Sequence, residues 1–328
     1  MKIAIIVCWM GKIPEYFKMW EYSCSKNPDY DFLIFTDHPR KSGFKNVTFI
    51  DFSLNNFNKI ASEKLKMDIE VKRPYKLCDF RPAYGLIFED YLKNYDFWGH
   101  CDIDQIFGKI KNFVTEEVLN NYDKINKNGH FVLYRNTSKM NNLFKEKGSL
   151  FNYVDVFKSN ENFAFDEYTG INMIVKKQNI KFFYINDFAD IDKGVKRYIC
   201  KNHDNYKYQF YKYYDGKIFK VYYDNEIKEQ EMMYLHFQKK IPKMKIDSMD
   251  KCIAMGYKKF CNIDNKVNIR VIEDVNGHEN RIMNLFEKIF YCYTKIKEFF
   301  FSSKEKKEIW VKQKKSREEY RWVKSKEF

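Results

Sequence analysis

Glycine and proline are scarce in this chain, twelve and six among 328 residues. No two glycines stand close enough to form a G-x-G-x-x-G turn, and no G-x-x-x-x-G-K-[ST] loop occurs. Phosphate binding by a P-loop or by a dinucleotide fingerprint is therefore excluded. Long apolar runs are also missing: none approaches the roughly 20 residues of a membrane-spanning helix. The opening "MKIAIIVCWMGK" has a short apolar stretch with no small-residue cleavage site after it, so it reads as a first β-strand rather than a signal peptide. The eight cysteines contain no C-x-x-C pair. That argues against a zinc site or a disulfide framework and points to reduced, mostly buried thiols of a cytosolic protein.

Apolar and aromatic residues are plentiful. Hydrophobic residues make up 45% and aromatics 19% of the chain, enough for a substantial core and incompatible with wholesale disorder. The length suits one large domain, or a core domain with an appendage. The formal net charge of +14 predicts an anionic partner, whether nucleotide phosphates, nucleic acid or an anionic membrane surface.

Residues 2–9, "YDFLIFTD" and "NVTFIDF" are near-continuous apolar strands, separated by segments with helical spacing. A helix opened by Pro14 is expected to turn Tyr16, Phe17, Trp20 and Cys24 inward, and the region around Pro82 reads as interrupted helix. "YDFWGHCDID" is the next strand. This alternation predicts an α/β fold, a parallel sheet covered by helices on both faces. Later strands are expected in "HFVLYR", "INMIVKK", "IKFFYI", "KIFKVYY" and "MMYLHF", giving a mixed sheet. The core domain is expected to span 1–245, followed by a connecting region, 246–280, with no assigned structure.

In open α/β sheets, ligands bind beyond the carboxyl ends of the strands. Thr36–Asp37 and Asp102-Ile-Asp104 both fall at such ends. Residues two apart on a strand share a face, so Asp102 and Asp104 can converge on one ion. Hard divalent cations favour carboxylate oxygens and share coordination with substrate phosphates. An ordinary acidic loop would have the same sequence. His100, two residues back in the strand, reads as a packing residue.

A strand ending in D-x-D about a hundred residues from the start resembles the GT-A glycosyltransferases. In that family an α/β sheet binds the nucleotide and the D-x-D holds a metal on a sugar-nucleotide diphosphate. The stretch "PYKLCDFRPAYGLIFEDYLKNYDFWGHCDIDQIFG" is similar to a group of bacterial polysaccharide-cluster proteins thought to be such transferases. The resemblance covers roughly residues 1–240 and is concentrated in 74–108. It implies a GT-A-like, Rossmann-like mixed sheet flanked by helices, with a C-terminal α-helical extension. It further implies Mn²⁺ or Mg²⁺, a nucleotide-sugar donor (a UDP-sugar foremost), and a glycan or lipid-linked glycan acceptor in surface polysaccharide synthesis.

The same resemblance suggests roles for particular residues. Asp102, Asp104 and His236 would hold the metal, with Asp102 equally able to serve the ribose. "YLHFQKK" resembles in part the H-F-x-x-K pattern of family 8 transferases, so Lys239 and Lys240 would meet the diphosphate. Asp166, four residues before Gly170, matches the aspartate of an E-D-V-Y-x-G motif. Tyr168 and the absence of an acidic residue before Asp166 depart from that motif. Asp166 and Glu167 would be the catalytic carboxylates, with inversion favoured over retention in a hexosyl transfer. Lys76 and Arg81 would bind diphosphate, with Asp79 holding the ribose or positioning Arg81. Thr36 and Asp37 would contact base and ribose. Each has a plainer reading: a lone strand-edge histidine, loop or cap acids, a structural Arg–carboxylate fork, and an Asp-His-Pro turn.

From Ile282 to Phe300, apolar residues recur at three- and four-residue spacing, and Ser302 with Glu305 fits a capping box opening a second, lysine-rich helix. Residues 281–328 are therefore expected to form a basic amphipathic tail, able either to lie on an anionic membrane or to pack on the core. The first option implies a cytoplasmic protein peripheral to the inner face of the cell membrane. Two other classes fit the charge and the acids: a nucleic-acid-binding protein, and a nucleotidyl- or phosphotransferase. No recognisable nucleic-acid module is present, so nucleic acid is not an expected partner.

Overall fold

The computed structural model describes residues 1–238, 241–264, 267–277 and 281–319. The first strands are β1 (Ile3–Trp9), β2 (Tyr30–Thr36), β3 (Val47–Asp51), β4 (Phe97–Cys101) and the short β5 (Gln105–Phe107). Next come β6 (Lys124–Ile125), β7 (Phe131–Arg135), β8 (Phe182–Phe183) and β9 (Ala189–Asp190). Then follow β10 (Gln209–Tyr214), β11 (Lys217–Asp224), β12 (Glu226–Met232) and β13 (Tyr234–His236). The last are β14 (Lys243–Lys245), β15 (Ile253–Met255) and β16 (Lys259–Asn262).

The central sheet has the order β3-β2-β1-β4-β7-β6-β8. β1 to β4 run parallel to one another, and β7 enters antiparallel beside β4. The mixed α/β architecture expected from the sequence is thus present. Alternate residues explain why the strands read as unbroken apolar runs. Ile3, Ile5 and Val7 belong to the core on one face, and Ala4 and Ile6 to the core on the other. Parallel pairing puts the ends of β1, β2 and β4 on one edge, and this edge carries Asp37, Asp102 and Asp104.

A three-stranded sheet, β5-β13-β9, lies next to that edge. Its register sets His236 opposite Gln105 on one side and Asp190 on the other. A six-stranded sheet of order β12-β11-β10-β15-β16-β14 completes the body.

Three local expectations are revised. "INMIVKK" is helical, Ile171–Lys177, because Ile171, Ile174 and Val175 bury one face at helical spacing, and that period outweighs its strand-like composition. The core does not close at 245. Tyr211 of β10 pairs with Met255 of β15, so the sheet continues through Asn262, and the helix Ile269–Asn276 covers it with Ile272 and Val275. The first helix spans Phe17–Ser25, one turn later than Pro14 implies, with Phe17, Trp20 and Cys24 buried as expected.

At the C-terminus, helices Arg281–Phe300 and Lys304–Glu319 are joined where Phe299 stacks on Trp310. The second is not a free tail. Ile309, Gln313 and Ser316 are buried along one stripe, and Gln313 donates to the Phe163 carbonyl at 2.8 Å. Its cap is Ser303, which accepts from Lys306 N at 3.1 Å, while Ser302 turns back to the Glu298 carbonyl. Arg321, Trp322, Lys324 and Lys326, part of the expected basic stripe, lie outside the described residues.

Candidate active site

Asp102 extends the β4–β7 ladder by one bond, from its N–H to the His130 carbonyl at 3.0 Å. Ile103 is buried on the opposite side, so Asp102 and Asp104 face the same way. His236 Nε2 lies 3.5 Å from Asp104 Oδ1 and 3.8 Å from Asp102 Oδ2. Backbone bonds pin this histidine from both flanks: Phe237 N–H to the Asp104 carbonyl and Ile191 N–H to the His236 carbonyl.

Asp190 completes the group. Its Oδ1 is 2.9 Å from His236 Nδ1, and it also accepts from Gln238 Nε2 at 2.7 Å and faces Lys201 Nζ at 3.1 Å. A carboxylate on Nδ1 orients the ring and turns Nε2 toward the two aspartates, as in carboxylate–histidine–metal arrangements. The spacing fits one ion. Six oxygens or nitrogens at about 2.1 Å from a cation sit about 3 Å apart as neighbours and about 4 Å apart as opposites. Two carboxylates and an imidazole suit Mn²⁺, and the carboxylates suit Mg²⁺.

Charge is balanced locally. Burial opposes the charged imidazolium, but Asp104 and Asp190 outweigh it and push His236 up to about 10. Burial would also raise Asp102, yet Arg81 and His236 hold it below the usual carboxylate range. The imidazolium therefore serves as the counter-charge, and a cation held between these groups would take the place of its proton. His130 stacks on His236 at 4.5 Å between centroids, and its Nδ1 meets the Tyr234 hydroxyl at 2.9 Å. Burial and the neighbouring His236 push His130 down to about 3, so it stays neutral.

Arg81 bridges this cluster to a second one. Its guanidinium donates to Asp102 Oδ1, to Asp166 Oδ2 at 3.2 Å and to the Gly129 carbonyl at 3.0 Å. Glu167 Oε1 accepts the Gly129 N–H at 2.8 Å. A Cβ on Gly129 would sit 2.7 Å from Asp166 Oδ2, so a larger residue there would push that carboxylate back. Burial pushes Asp166 well up, with Arg81 opposing and Glu167 adding to the rise, and burial likewise raises Glu167. Asp166 is buried and Glu167 is partly exposed.

Lys76 and Asp79 are placed differently from the expected ligand contacts. Both side chains are buried and paired at 2.8 Å. Lys76 also donates to the Glu161 carbonyl, and Asp79 accepts the N–H groups of Phe163 and Phe165. Both are closed off from solvent. They hold the loop that delivers Asp166. Arg81, with its three protein acceptors, is likewise committed to the carboxylates rather than open to a diphosphate.

Thr36 is buried and accepts the His38 N–H at 3.2 Å. Asp37 is open and accepts the Gly11 N–H at 2.7 Å, which lowers its pKa, and Gly11 has φ +100° in that turn. Lys239 and Lys240 lie outside the described residues. His100 is buried against the rings of Tyr84 and Tyr134. Sequence reasoning missed Asp190, Gly129 and His130. A signal for Asp190 was present, because "DID" recurs at 190–192, a repeat of 102–104.

Residues 5–267 match the family of unknown function DUF6625, and the chain belongs to that family. No curated protein matches the sequence. Among solved structures the chain is similar to the galactosyltransferase LgtC in complex with donor and acceptor sugar analogues. That similarity has 10% identity and a TM-score of 0.35, over 59% of this chain and 77% of that one. It is also similar to the glycosyltransferase GlyE of Streptococcus pneumoniae TIGR4, at 12% identity and a TM-score of 0.32, over 57% of this chain and 45% of that one. The α/β architecture rests on the observed strand order.

Proposed function

We propose that this protein is a metal-dependent glycosyltransferase of the GT-A type. It would move a hexosyl group from a nucleotide diphosphate sugar, a UDP-sugar foremost, to a glycan or lipid-linked glycan acceptor in bacterial surface polysaccharide synthesis. The observation that carries the reading is the convergence of Asp102, Asp104 and His236 at the carboxyl edge of the sheet, with Asp190 orienting the imidazole.

Asp102, Asp104 and His236 would hold Mn²⁺ or Mg²⁺, which when bound neutralises charge on the leaving diphosphate. Asp37 stands on the same edge for the nucleoside, with Thr36 shaping the turn beneath it. Lys239 and Lys240 are proposed for the diphosphate. Arg81 keeps Asp102 Oδ1 occupied, so that Oδ2 faces His236. Glu167, the more open of the acidic pair, takes the proton of the acceptor hydroxyl as its oxygen bonds to the anomeric carbon. The bond from that carbon to the phosphate oxygen breaks, and its electron pair leaves with the diphosphate. Asp166 holds Arg81 beside the reaction centre. A single displacement of this kind inverts the anomeric centre. Among the described residues no helix is long and apolar enough to cross a membrane. We place the protein in the cytoplasm, peripheral to the inner face of the membrane.

The experiment is a thermal-shift screen of nucleotides and nucleotide sugars with and without Mn²⁺, followed by turnover of the stabilising donor. Asp102→Ala and Asp104→Ala should each lower turnover by about 100-fold or more while the variants unfold at nearly the wild-type temperature. Undiminished turnover in both would remove the ion site from the mechanism.

A further inference from the structure

An open cleft of about 780 Å³ is lined by Lys193, Lys243, Lys245, Lys258 and Lys259, with Asp274 as its one carboxylate among the described residues. Asp274 is already taken, at 2.6 Å from Lys259 Nζ. Lys258 donates to the Glu273 carbonyl at 3.3 Å. Lys243 and Lys245 are exposed, two residues apart on the edge strand β14, and so project to one side. Like charges gathered this way repel one another, and an anion filling the cleft would relieve the repulsion.

The cleft has an apolar neighbour. A methyl group on Gly194 would lie 3.7 Å from Lys288 Cγ, so the 281–300 helix passes directly beside Lys193. On that helix Leu285, Phe286, Ile289, Phe290, Tyr293 and Ile296 are all more than half exposed. At 1.5 Å per residue this stripe runs for about 17 Å. A helix with such a face and lysines beside it is suited to lie in the plane of a bilayer interface.

We propose that the lysine cleft is a binding site for the phosphate headgroup of an anionic membrane lipid, with the apolar stripe of the 281–300 helix lying in the adjoining acyl region. Cation and hydrocarbon side by side match an amphipathic anion. A soluble polyanion such as RNA would use the lysines and leave the stripe in water. The site also bears on the candidate chemistry, since Lys193 is three residues beyond Asp190 and Ile241 of the cleft is five beyond His236. A bilayer held there lies next to the reaction edge. The inference rests on the membrane-facing part of the function proposed for this chain and supplies the partner for it.

The test uses the full chain sedimented with phosphatidylcholine vesicles, with and without phosphatidylglycerol. Uptake is expected on the anionic vesicles only. Lys243→Glu with Lys245→Glu should weaken it by about 30-fold, at the worth of one surface lysine each. Phe286→Ser with Phe290→Ser should weaken it as well. Unchanged uptake in the lysine variant, or no uptake of the wild type, overturns the proposal. So does stabilisation of the wild type by sodium pyrophosphate at matched ionic strength without vesicle uptake, because the ligand is then a soluble phosphate. Binding of single-stranded RNA that the lysine variant loses, with vesicles unbound, overturns it too. Donor hydrolysis on the same samples separates the two readings. Vesicle binding by a wild type that turns over no donor would remove the transferase and leave this site standing.

Discussion

Asp190 shows how the orientation of one side chain can be set by a residue distant in sequence. Its carboxylate reaches His236 across 46 positions of sequence and sets which imidazole nitrogen faces Asp102 and Asp104. Asp190→Ala is expected to weaken Mn²⁺ binding by about 10–100-fold, measured by titration calorimetry, with the fold intact. Wild-type affinity in that variant would show that the imidazole is oriented by something else. Lys76 and Asp79 have the opposite character. Removing one partner of a buried ion pair strands the other without water or counter-charge, so Asp79→Ala should cost about 3–5 kcal/mol in urea unfolding. A loss near zero would mean that the pair does not hold the 161–165 loop.

At the scale of elements, the two C-terminal helices share a basic composition but differ in role. The 304–319 helix buries Ile309 against the core that also contains Phe163 and Phe165, and its Gln313 satisfies the Phe163 carbonyl. It therefore backs the segment leading to Asp166. Ile309→Ala should destabilise the protein by about 2–4 kcal/mol, read from the urea midpoint, through lost burial and the cavity left behind. A change within a few tenths would show that the helix only rests on the surface. The 281–300 helix keeps its apolar face outward, so deleting both helices together would confuse support of the core with docking. Substitutions on the exposed face separate them.

For the whole molecule, two buried bases give opposite responses to pH. His236 binds its proton more tightly in the folded chain. Its contribution is fully present below about pH 6.5 and is lost as pH rises through about 10. Burial, and next the charge of Lys127, hold Lys124 down to about 7 from 10.5. Between those values the unfolded chain carries a proton that the folded chain lacks, and stability gains with pH. With metal removed by chelation, the two nearly offset between pH 7 and 10. Lys124→Met removes only the second, so its unfolding free energy from urea titration should fall across that window by an amount on the order of a few kcal/mol relative to wild type. Parallel profiles for variant and wild type would show that Lys124 keeps its charge in the folded protein.

Local pattern alone was enough for β1 to β4 and for the acid pair beyond β4. Continuous apolar runs and alternating side-chain direction are properties of a few neighbouring residues. The same kind of reading failed at Ile171–Lys177, where β-branched composition pointed to a strand and the packing of one face selected a helix. It could not separate Lys76 and Asp79, in a short helical run, from Asp37, at a strand end, since burial is a property of what packs over a residue. "DIDQIF" announced its carboxylates, and "FADID" carried the same tripeptide, yet only pairing of β13 between β5 and β9 brought His236 to both. Such pairing sets His236 beside Gln105 and Asp190, both remote from it in the chain, and no local sequence signal encodes which strand will lie beside which.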